Sequence, residues 1–268
     1  MAHGALYLFG AYIGLLIGSE QNWGGILGRF APFGLEWGFL AALILTPIVV
    51  FVIGVAMERL MAKPFYERSM LDQLLVTFGI LIILQEVVAV LLGRAGRTYA
   101  RPDWAAGGMA FPGIGSAPRW RIYVFILTGV LVLLLFAFYK YTDYGLAVRA
   151  GTEDSEMTQL LGIRIGRPFL LIFAIGAAFA GMAGLLGGSL FTVQPEMGID
   201  IIIPALVIVI MGGVGSIRGT VVAALLAGLA FTSVTSVWPA MAQASIYILA
   251  IIVLLIRPSG IFPTAEIE

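Results

Sequence analysis

The sequence predicts an all-α, polytopic membrane bundle of about eight spanning segments, some of them short or broken. Three observations carry this. Hydrophobic residues make up 60% of the chain and charged residues only 11%. Between Phe169 and Ile256 only Glu196, Asp200 and Arg218 are charged, each near a Gly or Pro break. Upstream, uncharged apolar runs cover 4–19, 38–57 and 122–139, and a run over 74–92 is interrupted only by Glu86. Each approaches the ~20 residues a helix needs to cross a bilayer core. None alternates polar and apolar, so helices fit better than barrel strands.

The elements follow in order. Helices are expected over 4–18, 36–57, 71–92, 121–140, 169–190, 199–212, 219–237 and 241–256. The stretch 199–237 is too long for one crossing at about 1.5 Å per residue, and Gly212, Gly213, Gly215 and Gly219 mark its turn. Trp238 and Pro239 divide the last two segments. The N-terminus lacks a basic n-region and a small-residue cleavage site, so the first apolar run reads as structural. A single transmembrane domain over 1–268 is the simplest organisation.

Composition narrows the function. Net charge is zero and the 15 basic residues are scattered, which disfavours nucleic acid as a partner. The chain has no cysteine and one histidine, His3, so disulfides, thiol chemistry and a histidine metal cluster are excluded. No cofactor is expected.

Loop charge gives a weak orientation. One arrangement places nine basic residues inside: Arg59, Lys63, Arg68, Lys140, Arg149, Arg164, Arg167, Arg218 and Arg257. Six fall outside: Arg29, Arg94, Arg97, Arg101, Arg119 and Arg121. All five tryptophans (Trp23, Trp37, Trp104, Trp120 and Trp238) then fall on the outer side near segment ends, as interface residues do. Small residues at four-residue spacing (Gly10, Gly14, Gly18; Gly176, Ala180, Gly184, Gly188) predict closely packed helices.

The most informative polar stretch is YGLAVRAGTEDSEMTQLLGIRIGR, Tyr144 to Arg167. Thr152 is expected to cap a helix whose first turn holds Glu153, Asp154 and Glu156, with Gly162 ending it. Met157, Leu160 and Leu161 share one face, giving a short amphipathic helix between two spans on the basic side. That face rests on the bilayer or docks a cytoplasmic protein.

Within this stretch, YGLAVRAGTEDSEMTQLLGI resembles the cytoplasmic coupling segment, here 144–162, of branched-chain amino-acid ABC transporter permeases, the LivH and LivM family. Further blocks follow in the family's order: AHGALYLFGAYIG, LDQLLVTFGILIILQ, PALVIVIMGGVGSIRGT and ILAIIVLLIRPSGIF. The resemblance implies an inner-membrane permease that works with a second, LivM-like permease subunit, cytoplasmic ATPase subunits and a periplasmic substrate-binding protein. It also implies roles: Gly145 turns the chain, Arg149 anchors the loop, Asp154 caps the helix or contacts the ATPase, and Gly162 ends the helix; the apolar face of Met157 and Leu160 is then the docking surface. Family members carry a further helix ahead of the AHG block, so the chain looks shortened at its start. Urea and short-chain amides are carried by close relatives, and they stand beside amino acids as expected cargo.

One absence agrees with this picture. A P-loop needs a lysine after glycine, whereas Lys63 follows Ala62 and Lys140 follows Tyr139. ATP is therefore expected to bind on partner subunits.

Other residues have two readings. Glu86, beside Gln85, is an acid within an apolar run; it faces a translocation path or lies near the outer interface. A path-facing acid that takes up a proton would instead indicate an ion-coupled secondary transporter. Gly212, Gly213 and Gly215 line the path or form a tight turn. Gln194, Pro195, Glu196 and Asp200 form an outer turn, and the arginine-rich loop 93–120 meets a binding protein or lipid headgroups.

Overall fold

The computed structural model describes residues 1–18, 37–65, 68–99, 102–111, 115–161, 163 and 166–262. Two compact units divide the chain, Met1–Gly198 and Ile199–Glu268. Six helices are long and apolar enough to cross a membrane, and Ala2–Gly18 and Met197–Gly212 are shorter apolar helices. All eight expected segments are present among the described residues, so the polytopic helical reading holds.

In the first unit, α1 (Ala2–Gly18), α2 (Gly38–Met57) and the helix α7 (Gly166–Gly188) pack on one another. The small-residue rows make this possible. A Cβ on Gly10 would fall on the Gly181 backbone, and one on Gly184 on the Tyr7 carbonyl. The helices approach until only hydrogen fits, gaining dispersion contact that lipid cannot supply. Leu6, Leu8 and Leu15 of α1 are fully buried. Pro47 lies inside α2 without ending it, and the chain runs on from α2 into a π-helical turn over Glu58–Ala62 with Glu58 buried.

Helix α3 (Met70–Leu92) is capped by Ser69, whose hydroxyl accepts from the Asp72 amide at 3.2 Å. Beyond it, Arg97 and Val193 exchange two backbone hydrogen bonds of 2.8 and 2.7 Å, pinning the chain after α3 to the chain after α7. The 93–120 stretch is not all loop. It holds a short 3-10 turn at Asp103–Ala105 and an antiparallel pair, β1 (Gly108–Phe111) and β2 (Gly115–Pro118), in register Met109 to Ala117. α4 (Arg119–Tyr141) follows directly. Trp37, Trp104 and Trp238 are exposed, which an interface position requires of them. Trp120 departs from that expectation: it is buried, packed edge-on against Phe39 at 4.7 Å. Trp23 lies outside the described residues.

In the second unit, α8 (Met197–Gly212), α9 (Ile217–Val237) and α10 (Ala242–Ile256) surround a small core of Met211, Ala223, Ala227 and Ala250. The expected turn lies between α8 and α9. Gly213 and Gly215 take positive φ, 103° and 85°. Ser216 caps α9 by accepting from the Gly219 amide at 3.1 Å. The Ile261 and Phe262 amides donate to the Met211 and Gly212 carbonyls at 3.0 and 3.1 Å, satisfying oxygens that the end of α8 leaves open.

Candidate coupling segment

The polar segment between α4 and α7 folds as two short helices, α5 (Asp143–Glu153) and α6 (Ser155–Leu160). Thr142 begins α5: its Oγ accepts from the Gly145 amide at 3.1 Å and donates to the Phe138 carbonyl at 2.7 Å. The chain therefore turns at Thr142, which corrects the expectation for Gly145. Gly145 lies in the first turn of α5, where a Cβ would strike the Tyr139 carbonyl; its part is close approach.

Arg149, one turn further along α5, donates from Nη1 to that same Tyr139 carbonyl. Its guanidinium carbon also sits 5.2 Å from the centroid of the Tyr139 ring. The side chain is half-buried, and it joins α5 to the last turn of α4.

The helix start expected at Thr152 is two residues late. Thr152 remains inside α5 and bonds back to the Arg149 carbonyl at 2.9 Å. Asp154 is the cap: it leaves helical geometry at φ −147°, ψ 100°, and Oδ1 accepts from the Met157 amide at 2.9 Å. Its carbonyl also accepts from the buried Thr158 hydroxyl at 2.6 Å. Of the acids assigned to a single first turn, Glu153 thus closes α5 and only Glu156 sits in the first turn of α6. Met157, Leu160 and Leu161 are 55%, 76% and 73% exposed, an apolar surface that no described residue covers. Gly162 lies outside the described residues. Tyr144, Ala147 and Ala150 of α5 line an open groove of about 350 Å³ together with Ile163 and Pro168.

The remaining candidates lie elsewhere. Glu86 accepts from Arg94 at 2.5 Å, and Arg94 also reaches Glu196 at 3.5 Å, all three well exposed. Gln85 differs: its amide oxygen is buried and accepts no hydrogen bond among the described residues. Gly212 packs on the backbone of Gly219 and Thr220, while a Cβ on Gly213 would lie 2.8 Å from the Phe262 carbonyl oxygen. Near the Arg94 cluster, burial lowers the pKa of Arg97 and pushes that of Tyr99 up to about 12. No group of three or more metal-ligating side chains occurs among the described residues.

Sequence reasoning missed Trp120, Ser189 and Tyr139. The Trp120 indole N–H donates to Ser189 Oγ at 2.9 Å, and that hydroxyl donates to the Leu186 carbonyl at 2.5 Å. A tryptophan next to an apolar run carries no local sign that it is buried.

Comparison with known proteins agrees with this architecture. The high-affinity branched-chain amino acid transport system permease LivH of Escherichia coli K12 is 29% identical over all of this chain and 86% of its own length. BraD of Pseudomonas aeruginosa, named for the same transport system, is 31% identical with the same coverage. A probable LivH of Methanocaldococcus jannaschii is 26% identical over 70% of this chain and 61% of its own. No solved structure matches. The family model described as branched-chain amino acid transport system permease component matches residues 1–256, and the chain belongs to that family.

Proposed function

We propose that this chain is the inner-membrane permease subunit of an ATP-driven importer for branched-chain or related amino acids, acting as one permease domain without changing its cargo covalently. The observation that carries the proposal is the segment 143–161. It presents an uncovered Met157, Leu160 and Leu161 face and is fixed to α4 through Arg149. An exposed apolar face flanked by acids suits a groove on a cytoplasmic ATPase, with hydrophobic contact supplying affinity and charge setting register.

In this reading a partner permease completes the path, paired ATPases close on ATP, and a periplasmic binding protein delivers the amino acid. Closure displaces α5 and α6, and alternating access follows. Among the path candidates, Gln85 keeps that role because its unpartnered buried oxygen is free to accept from a substrate ammonium. Glu86 is engaged by Arg94, and Gly212 and Gly213 serve the turn.

The test is affinity purification from membranes co-expressing the neighbouring ATPase and permease genes, with mass spectrometry and uptake of labelled leucine competed by urea and acetamide. Recovery of two P-loop ATPases, and their loss in Met157→Asp/Leu160→Asp, is the expected result. Undiminished recovery with that variant would sink the docking role.

A further inference from the structure

The coupling segment lies between two long helices, held to the first by direct contact and leading into the second. Arg149 and Gly145 hold α5 on the end of α4, while Ile163 and the start of α7 at Pro168 wall the groove on the other side. At their far ends the same two helices are fastened again. Trp120, in the first turn of α4, donates to Ser189, the residue after the last glycine of α7, and both are buried.

Between these fastenings α4 is only partly covered, with Val124, Leu127 and Leu131 resting on the core. Trp120 is the sole buried residue of its 23, and the helix runs about 34 Å at 1.5 Å per residue. A single unbroken helix with so little of its length fully buried carries a displacement at one end to the other. The Trp120 end is well gripped, because Phe39 and Trp104 pack on its ring and Ser189 is itself locked to Leu186.

We infer that Trp120 and Ser189 form a pin that closes α4, the coupling segment and α7 into one mechanical frame. Movement of the coupling segment is thereby delivered to the chain after Ser189 at the opposite end of the bundle. Both are positioning residues and neither needs to meet the cargo. The inference rests on the docking role proposed for 143–161. It adds the point where the stroke is received.

The test uses the complete transporter in proteoliposomes, reading substrate carried per ATP hydrolysed. Trp120→Phe keeps the ring and removes the N–H; Ser189→Ala removes the acceptor and carries the measurement if the first variant assembles poorly. Each is expected to retain its ATPases and hydrolyse ATP at the wild-type rate, while cargo per ATP falls roughly fivefold, the scale of one lost buried hydrogen bond. The double variant should be no worse than either single variant. An unchanged ratio in intact complexes, or losses that add in the double variant, would overturn the pin. Absence of ATPases from the wild-type preparation would instead remove the docking role and the pin with it.

Discussion

Arg149 and Tyr139 are joined twice: the guanidinium donates to the Tyr139 main-chain carbonyl ten residues earlier and lies 5.2 Å from the centroid of the Tyr139 ring. A helix C-terminus leaves carbonyls open and carries partial negative charge, so a cation placed there satisfies both needs. The planar guanidinium also stacks where an ammonium would not. Arg149→Ala is expected to lower stability by about 1 to 2 kcal/mol and reduce the ATPase recovered with the chain. Arg149→Lys should reproduce most of that loss. Thermal melting of detergent-solubilised protein by fluorescence-detected gel filtration measures the first effect; coincident wild-type and Arg149→Ala melts would count against the joint.

The glycines of the first unit are not equivalent. Gly184→Ala would drive a methyl into the Tyr7 carbonyl, which is backbone and cannot swing away. A loss of about 1 to 3 kcal/mol is expected. Gly79 and Gly129 have open space at the same distance, and alanine there should be neutral or stabilising by about 0.5 to 1 kcal/mol. A melting series across the three positions separates packing from helix propensity.

Gly213→Ala should be among the more damaging changes in the second unit. Its φ of 103° is strained for any side chain, and the new methyl meets the Phe262 carbonyl. Destabilisation of about 1 to 2 kcal/mol is expected, seen as earlier protease cutting of the C-terminal tail. A tail as resistant as wild type would count against this turn.

The absence of cysteine makes the chain a clean background for cross-linking. A Cβ built on Gly96 lies 2.7 Å from Thr192 Cγ2, so Gly96→Cys/Thr192→Cys should form a disulfide under mild oxidation. The readout is loss of two thiols to maleimide labelling. Persistent labelling would mean that the Arg97–Val193 pairing is not formed in the membrane.

Glu86 pairs with Arg94 across an exposed edge, where ion pairs contribute little. Glu86→Gln is therefore expected to keep uptake within about twofold and leave it indifferent to ionophores. Uptake lost in this variant, or collapsing with the ion gradient, would revive a secondary transporter.

The spanning segments were legible because crossing a bilayer requires long uncharged runs, and such runs survive any detail of packing. The coupling segment was legible in place but not in form. Thr152 and Asp154 are both good cap residues two positions apart, and local chemistry does not choose between them. The choice falls to Asp154 because α5 starts early, capped by Thr142, and carries Thr152 inside it. Trp120 was misplaced because its partners, Phe39 and Ser189, arrive from distant segments. The β1–β2 pair was missed because two four-residue strands reading GMAF and GSAP show no alternation to recognise.

The seam between α1 and α7 has a consequence for biogenesis. Gly10 of α1 meets Gly181 of α7, and everything between them must be synthesised first. At 5 to 20 residues per second that interval is roughly ten to thirty seconds, during which α1 has entered the bilayer without its closest neighbour. A glycine-lined groove offers lipid little to hold and any other small-faced helix a fit. The first helix therefore depends on the insertion machinery, or on α2, to shield it until α7 arrives, and mutations that delay α7 should expose the nascent chain to membrane quality-control proteases before folding is complete.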